Sequence, residues 1–279
     1  MENAEQLKEL VRQKYSGIAS QEKEVNQSSC CGSGSCSTEV YNIMSDDYSS
    51  LQGYNPEADL GLGCGLPTQF AKIKKGDTVI DLGSGAGNDC FVARKETGED
   101  GRVIGIDFTP AMIARAKENA QKLNYANVEF RQGDIEKIPL SANIADVIVS
   151  NCVLNLVPNK DNVFKEIFRV LKPAGHFSIS DIVLIGDLPE ELRQNAEMYA
   201  GCVAGAIQKE AYLELIRQNN FSEIIIQKEK PINIPDDILK NYLNDKELGK
   251  FKTGTAGIFS ITVYAEKSKT CGCGTDCCS

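Results

Sequence analysis

The sequence predicts an α/β fold: a doubly wound, mostly parallel sheet of seven strands with a terminal antiparallel strand pair. Two observations carry most of that prediction. Short β-branched runs alternate with stretches of helical apolar spacing from residue 78 to residue 219, the pattern of parallel strands joined through helices. Between the first strand and the first helix of that series stands Asp81-Leu82-Gly83-Ser84-Gly85-Ala86-Gly87-Asn88-Asp89-Cys90, whose glycines allow positive φ and close approach to a ligand. A third observation completes the sheet. Two β-rich segments, 221–227 and 257–265, come late and read as the antiparallel pair, with residues 231–255 as an excursion between them near the site.

Taken in order, Leu7, Leu10, Val11, Tyr15 and Ile18 recur at helical spacing among charges. They predict an amphipathic helix within residues 3–25, packed on the domain edge. Residues 27–38 are rich in Ser, Gly and Cys and predict loop. Residues 40–65 are irregular, carry Tyr48 and Tyr54, and run into Gly61-Leu62-Gly63-Cys64-Gly65-Leu66-Pro67. Glycines on both sides of one thiol predict a flexible, accessible loop. Thr78-Val79-Ile80 is a buried strand ended by Asp81, and a helix over 88–97 follows. The second strand, 102–106, ends in Asp107, and Asp107-Phe108-Thr109-Pro110 starts a helix with Thr109 as N-cap and Pro110 in the first turn. The third strand, 128–131, leads to Gly133-Asp134-Ile135, and the fourth, 145–150, runs into Asn151-Cys152.

Val163, Phe164, Ile167, Phe168 and Leu171 form the apolar face of a helix over 160–171, which Lys172-Pro173-Ala174-Gly175 stops before a fifth strand at 176–184. Helices are predicted at 189–198 and 208–219, with the small-residue stretch Ala200-Gly201-Cys202-Val203-Ala204-Gly205 between them. The last nine residues, from Cys271, cannot pack a core and predict a mobile tail. The chain thus divides into a helix and Cys-rich loop (1–45), a main domain (46–268) with a site excursion within 186–256, and a Cys-rich tail (269–279).

Bulk composition narrows the partners. With 279 residues, 42% apolar and 25% charged, the chain suffices for one sizeable domain with appendages. A net charge of −9 speaks against nucleic acid and against an anionic membrane. No 18-residue apolar run and no basic leader with an apolar core occurs, so neither a membrane span nor a secretory signal is expected, and the chain is expected in the cytoplasm. Eleven cysteines stand beside one histidine and no tryptophan. In a reducing compartment that number points to thiophilic metal or redox chemistry rather than disulfides.

The acids choose the nucleotide. Asp81, Asp107, 24 residues after Gly83, and Asp134 follow successive strands. In a doubly wound, Rossmann-like sheet all three lie at the edge where ligands collect, Asp107 placed for ribose hydroxyls. A pyrophosphate avoids nearby carboxylates and wants a bare helix N-terminus, which makes a nicotinamide dinucleotide the rival. S-adenosylmethionine carries a sulfonium, an ammonium, a ribose diol and an adenine amine, and it suits three acids. The expected cofactor site comprises Asp81, Gly83, Ser84, Gly85, Gly87, Asp107, Phe108, Met112, Asp134, Ile135, Ser150 and Asn151, with Asp134 taking the adenine amine and Met112 either facing the adenine or simply packed.

Cys152 follows the fourth strand beside that turn, the place for a thiol facing the transferable methyl. The alternative is a small buried filler. Cys64 and Cys202 sit in glycine-containing stretches able to reach the same edge. Three thiolates from three segments make a pyramidal all-sulfur cage for a soft centre with a lone pair. Zinc more often shows close Cys pairs or histidine, and His176 on the fifth strand reads as structural. Cys90, in a helix turn, reads as packed rather than ligating.

Asp-Leu-Gly-Ser-Gly-x-Gly-x-Asp-Cys, Gly-Ile-Asp-Phe-Thr, Ser-Asn-Cys-Val-Leu-Asn-Leu-Val-Pro and the upstream Gly-Cys-Gly together resemble the arsenite S-adenosylmethionine methyltransferases of the bacterial type. The similarity runs from about Tyr48 to Met198 and on to Cys202. It implies the class I methyltransferase form of the sheet and methyl transfer to trivalent arsenic held by Cys64, Cys152 and Cys202. No tightly bound metal other than that substrate is expected. Cys36, 28 residues before Cys64, matches the family's upstream fourth cysteine, with Cys30 and Cys31 as rivals for the place. The resemblance further implies arsenite or its thiol conjugates as substrate, a disulfide step involving Cys36, and thioredoxin or glutathione as reductant. Relative to longer members, most of a further C-terminal domain is expected to be missing and the cysteine tail to stand instead. Two other readings compete: a C- or O-methyltransferase of a small molecule such as a quinone, and a thiol-rich metal-sequestering protein.

Overall fold

The computed structural model describes residues 4–19, 46–187, 205–233, 236–240, 243–253 and 256–268. The expected helix at 189–198, Cys30, Cys31, Cys36, Cys202 and the tail lie outside the described residues.

Among the described residues the elements run α1 (Ala4–Ala19), α2 (Pro67–Phe70), β1 (Thr78–Leu82), α3 (Asn88–Thr97), β2 (Arg102–Asp107), α4 (Pro110–Lys122), β3 (Val128–Gln132), β4 (Ala145–Asn151), α5 (Lys160–Val170), β5 (Leu171–Ile185), α6 (Lys209–Gln218), β6 (Phe221–Pro231), α7 (Asp236–Leu239), α8 (Asp245–Thr253) and β7 (Gly257–Lys267). Short 3-10 turns at Ile135–Lys137 and Leu154–Leu156 follow β3 and β4.

One sheet holds all seven strands in the order β3-β2-β1-β4-β5-β7-β6. β1 pairs in parallel with β2 and β4, and β4 pairs in parallel with β5. β7 lies between β5 and β6, antiparallel to both. Strand order therefore reverses between β1 and β4, and the carboxyl ends of those strands open a crevice.

Successive side chains of a strand face opposite sides of a sheet, and the core follows. Val79, Val103, Val147 and Val149 join Phe91, Met112 and Ala116 on one face. Ile80, Leu82, Ile104 and Ile148 join Phe164, Ile167, Tyr212 and Ile216 on the other. Phe164, fully buried, meets Tyr212 edge-on at 5.7 Å between ring centroids, an arrangement that suits the ring quadrupoles.

Several boundaries differ from the sequence reading. β1 continues one residue beyond Asp81, so that acid is inside the strand. β5 begins at Leu171, directly after α5, and absorbs Lys172 to Gly175 as an irregularity: Ala174 takes φ +65° and the register with β4 shifts there. β6 runs on to Pro231 because β7 pairs with it that far. α1 buries Val11, Ile18 and Ala19 but leaves Leu10 63% exposed. His176 is structural: its Nε2 lies 2.6 Å from the Ala71 carbonyl and its ring stacks on Tyr264.

Candidate functional site

The crevice at the strand reversal is a cleft with about 1060 Å³ of atom-free space, its mouth included. The β1–α3 turn builds its floor. Gly83, Gly85 and Gly87 take φ of +73°, +50° and +99°, a region L side chains enter at a cost. The Gly83 and Ser84 amides donate to the Ile106 carbonyl at 2.7 and 3.0 Å, which ties the turn to β2. Asp107, ending β2, accepts from the Gly85 amide at 3.0 Å and from the Thr109 amide at 2.8 Å. A Cβ on Gly85 would meet nothing within 4 Å, so the turn shows bare backbone to the cleft.

Of the residues expected to hold the cofactor, Asp81, Gly83, Ser84, Gly85, Asp107, Phe108, Met112, Asp134, Ile135 and Asn151 line this cleft, as does Cys152. Two expected residues do not. Gly87 lies under the Phe130 and Phe91 rings, which a Cβ there would approach to 2.8 and 2.9 Å, and it serves the entry into α3. Ser150 is fully buried and donates to the Leu82 carbonyl at 2.8 Å, bonding β4 to β1. Asp134 reaches the cleft already engaged. Its Oδ1 accepts the Glu136 amide at 2.9 Å, and its Oδ2 pairs with Lys8 at 2.6 Å.

That pairing corrects the placement of α1. The helix does not merely pack on the domain edge: Lys8 and Tyr15 line the cleft, and Lys8 also pairs with Glu136. Other lining residues carried no expectation, among them Tyr48, Asp59, Asn88 and Asp89. Asp89 stands in the first turn of α3, where an acid is ordinary helix chemistry, so its pattern masked its place. Tyr48 belongs to an irregular stretch without periodicity.

The charge of the cleft is lopsided. Five aspartates line it (Asp59, Asp81, Asp89, Asp107 and Asp134), with Lys8 as the one basic side chain among the described lining residues. Burial, then the Asp89 and Asp107 carboxylates, push Asp81 well above the usual carboxylate range, against the Cys90 thiol that donates to it at 3.2 Å. Burial lifts Asp89 to about 6 despite hydrogen bonds from Tyr48, Asn151 and Thr68. Burial likewise raises Asp107, against the Thr109 and Gly85 amides. Carboxylates held this way gain from a cation and repel a phosphate.

Two buried polar atoms of cleft-lining residues find no protein partner: Ser84 Oγ and Asn88 Nδ2. Such atoms ask for a ligand or solvent. A cationic, hydroxyl-bearing, phosphate-free nucleoside meets both the charge and the open hydrogen-bonding sites, so these residues fit S-adenosylmethionine and not a dinucleotide.

Cys152 lines the inner wall of the cleft and Cys64 does not. Cys64 and Cys152 are buried in one apolar cluster with Ile182, Leu184 and Ile258. The expectation of a flexible, accessible loop around Cys64 is overturned, because Cys64 is fully buried. Its flanking glycines serve close packing: a Cβ on Gly63 would lie 2.5 Å from Asn151 Nδ2, and one on Gly65 2.5 Å from Ser180 Oγ. The Cys64 amide donates to Asn151 Oδ1 at 3.0 Å, and Ser260 Oγ donates to the Cys64 carbonyl at 2.5 Å. Cys152 takes φ +60°, and its amide donates to the Ser180 carbonyl at 2.8 Å. A left-handed cysteine costs about 1–2 kcal/mol, so its surroundings impose that conformation.

Behind the thiols, Tyr212 donates to the buried Asp181 at 3.3 Å. Burial, with Asp181 and the Cys64 and Cys152 thiols nearby, holds the Tyr212 phenol protonated. Among the described residues no three His, Cys, Asp or Glu side chains converge as a metal site. The structure brings together Cys64 and Cys152; Cys36 and Cys202 lie outside the described residues.

Comparison with known proteins gives the family. Residues 73–220 match the model of a methyltransferase domain family. An arsenite methyltransferase of Halobacterium salinarum is 37% identical over 276 residues, covering 94% of this chain and 67% of that protein. One from Aquipseudomonas alcaligenes is 33% identical over 91% of this chain and 72% of its own length. The crystal structure of an arsenic(III) S-adenosylmethionine methyltransferase from Chlamydomonas reinhardtii superposes with a TM-score of 0.62 at 34% identity, covering 75% of this chain and 68% of the other. An acid-lined nucleoside cleft, a thiol at its inner wall with a second in the same buried cluster, and these relatives lead to one conclusion: the chain belongs to the arsenite methyltransferases.

Proposed function

We propose that this chain moves the methyl group of S-adenosylmethionine to trivalent arsenic held by cysteine thiolates, giving methylated arsenicals. The observation that carries the reading is the burial of Cys64 and Cys152 in one apolar cluster, with Cys152 reaching the wall of the acid-lined cleft.

When bound, S-adenosylmethionine supplies an electrophilic methyl group on a sulfonium. Asp81 and Asp89 balance its positive charge, Asp107 holds the β2 end for the ribose, and Ser84 and Asn88 offer unsatisfied hydrogen-bonding atoms. Met112, only 1% exposed, gives an apolar wall. Gly85 leaves room for close approach, and Lys8 and Tyr15 of α1 add to the lining.

Arsenite is the substrate, and Cys64, Cys152 and Cys202 hold it. Trivalent arsenic keeps a lone pair when three sulfurs bind it, so its attack needs no general base. The work of the chain is alignment, which supplies much of a rate when reacting atoms are held about 3–3.5 Å apart. The apolar shell of Ile182, Leu184 and Ile258 keeps water from the sulfurs. Transfer raises arsenic formally to the pentavalent state. Two thiolates, one of them Cys36, return two electrons and become a disulfide, which thioredoxin or glutathione then reduces by thiol exchange.

The test is incubation of the reduced chain with arsenite, S-adenosylmethionine and thiol, with arsenicals separated and identified by mass. Methylated arsenic is expected from the unaltered chain and not from Cys64→Ser or Cys152→Ser. Full-rate methylation by Cys152→Ser overturns the reading.

A further inference from the structure

We propose that Asn151 is the positioning residue of the thiol pair: its side-chain amide clamps the segment of Cys64 against the strand end that carries Cys152, and thereby sets the spacing of the two sulfurs. The inference rests on the reading of Cys64 and Cys152 as thiols that hold arsenic.

Asn151 is the last residue of β4 and the immediate neighbour of Cys152. Its Oδ1 accepts the Cys64 amide at 3.0 Å, and its Nδ2 donates to the Gly65 carbonyl at 2.8 Å. One planar amide therefore bonds the backbone on both sides of Cys64, as a strand neighbour would, across 87 positions of sequence. No local structure can fix the two segments over that separation.

The amide has one allowed orientation. Flipped, it would set Nδ2 against the Cys64 amide and Oδ1 against the Gly65 carbonyl. Tyr48 and Asp89 reinforce the choice: Nδ2 donates to the Tyr48 hydroxyl, and that hydroxyl donates to Asp89 Oδ2 at 2.8 Å. Gly63 lies so close over the amide that any side chain there would displace it. The other anchors are fixed as well, the Cys64 carbonyl by Ser260 and the Cys152 amide by the Ser180 carbonyl. Asn151 thus joins the two thiol segments directly, whereas Ser260 and Ser180 tie them to the paired strands β7 and β5. Sulfurs preset for a pyramidal centre bind it better than sulfurs that must first be gathered, and partners behind a ligand typically contribute about 10- to 100-fold in affinity.

The experiment uses the whole 279-residue chain, reduced, with Cys30, Cys31, Cys36, Cys202, Cys271, Cys273, Cys277 and Cys278 replaced by serine, without S-adenosylmethionine. The probe is phenylarsine oxide, which takes two thiols, and its affinity is read by competition with a small dithiol. Asn151→Ala is expected to weaken binding about 10- to 100-fold, and to add nothing once Cys64→Ser is present. Ser150→Ala removes a neighbouring buried bond to the Leu82 carbonyl and is expected to leave the affinity unchanged, which separates positioning from general loss of stability. Should Asn151→Ala fail to fold, Tyr48→Phe carries the test, with weakening of about threefold or more expected from loss of the orienting hydroxyl. Tight binding lost with Cys64→Ser but unchanged in Asn151→Ala, or in Tyr48→Phe where that stands in, overturns the clamp alone. Tight binding that survives Cys64→Ser overturns the thiol-pair reading and the clamp with it.

Discussion

Lys8 of α1 reaches Asp134 beyond β3 at 2.6 Å and also pairs with Glu136, so the first helix is pinned across the nucleoside cleft. The side chains of the Lys8–Asp134 pair are 31% and 40% exposed, and such pairs are worth about 0.2–1 kcal/mol each. Lys8→Ala is therefore expected to weaken S-adenosylmethionine binding by about two- to fivefold. High salt screens the same pairs, so calorimetry at low and high ionic strength should show the difference shrinking. No salt dependence in that difference refutes the pinning.

Two glycines of one turn should respond differently to the same methyl. At Gly85, with φ +50°, a Cβ meets nothing within 4 Å, so Gly85→Ala should fold at a cost of about 1 kcal/mol. That methyl then occupies ligand space, and S-adenosylmethionine affinity should fall about tenfold or more. At Gly83 a Cβ would lie 2.3 Å from the Val153 side chain, and Gly83→Ala should lose about 2 kcal/mol or more of stability. Urea unfolding and calorimetry on both variants check the contrast.

Asp89, pushed up to about 6 by burial, should make cofactor binding depend on pH. A bound cation favours the ionised carboxylate, so binding releases a proton and affinity rises with pH until the free carboxylate is already ionised. From Asp89 alone, affinity should rise about tenfold between about pH 5 and pH 7. Calorimetry in buffers of different ionisation enthalpy reads the released proton. Asp89→Asn should flatten the rise, and an unchanged profile in that variant counts against the assignment.

Asp181 makes a separate prediction about stability. Burial lifts it to about 7, against the Lys160 charge, the Ile182 amide and the Tyr212 hydroxyl. The folded chain therefore holds a proton up to about pH 7 that the unfolded chain releases near pH 4. Stability from this group is full below about pH 4 and is lost as pH rises through about 7, a change of order 3–4 kcal/mol. Urea unfolding at pH 5 and pH 8 spans part of that window and should show a fall of about 2–3 kcal/mol in the unaltered chain and a smaller one in Asp181→Asn.

The parts of the fold legible in the sequence are those written in local pattern. Val79 and Ile80 alternate between the two faces of the sheet as β-branched neighbours must, and Val163, Phe164 and Ile167 keep one helix face. Asp107 and the glycine turn were legible because a tight turn beside a strand-end acid has few other uses. Tyr48, Lys8 and Asn88 were not, since their places depend on how distant segments fold over the crevice. Cys64 misled for a related reason. Its glycines look like freedom along the chain, whereas they are the gap through which Asn151 and Ser180 approach. Ser150 misled in the opposite sense, because a hydroxyl at a strand end near the crevice can as well turn inward to a neighbouring strand's carbonyl.

β7 sits between β5 and β6, and its Ser260 grips the backbone of Cys64. A polypeptide emerging from the ribosome reaches Cys64 nearly two hundred residues before that grip can form. During synthesis β6 has no strand to lie beside, and the first thiol segment is unclamped on that side. Until residues 257–267 have been delivered, the Cys64 segment should therefore hang on its Asn151 bonds, and only the arrival of β7 fixes its carbonyl as well.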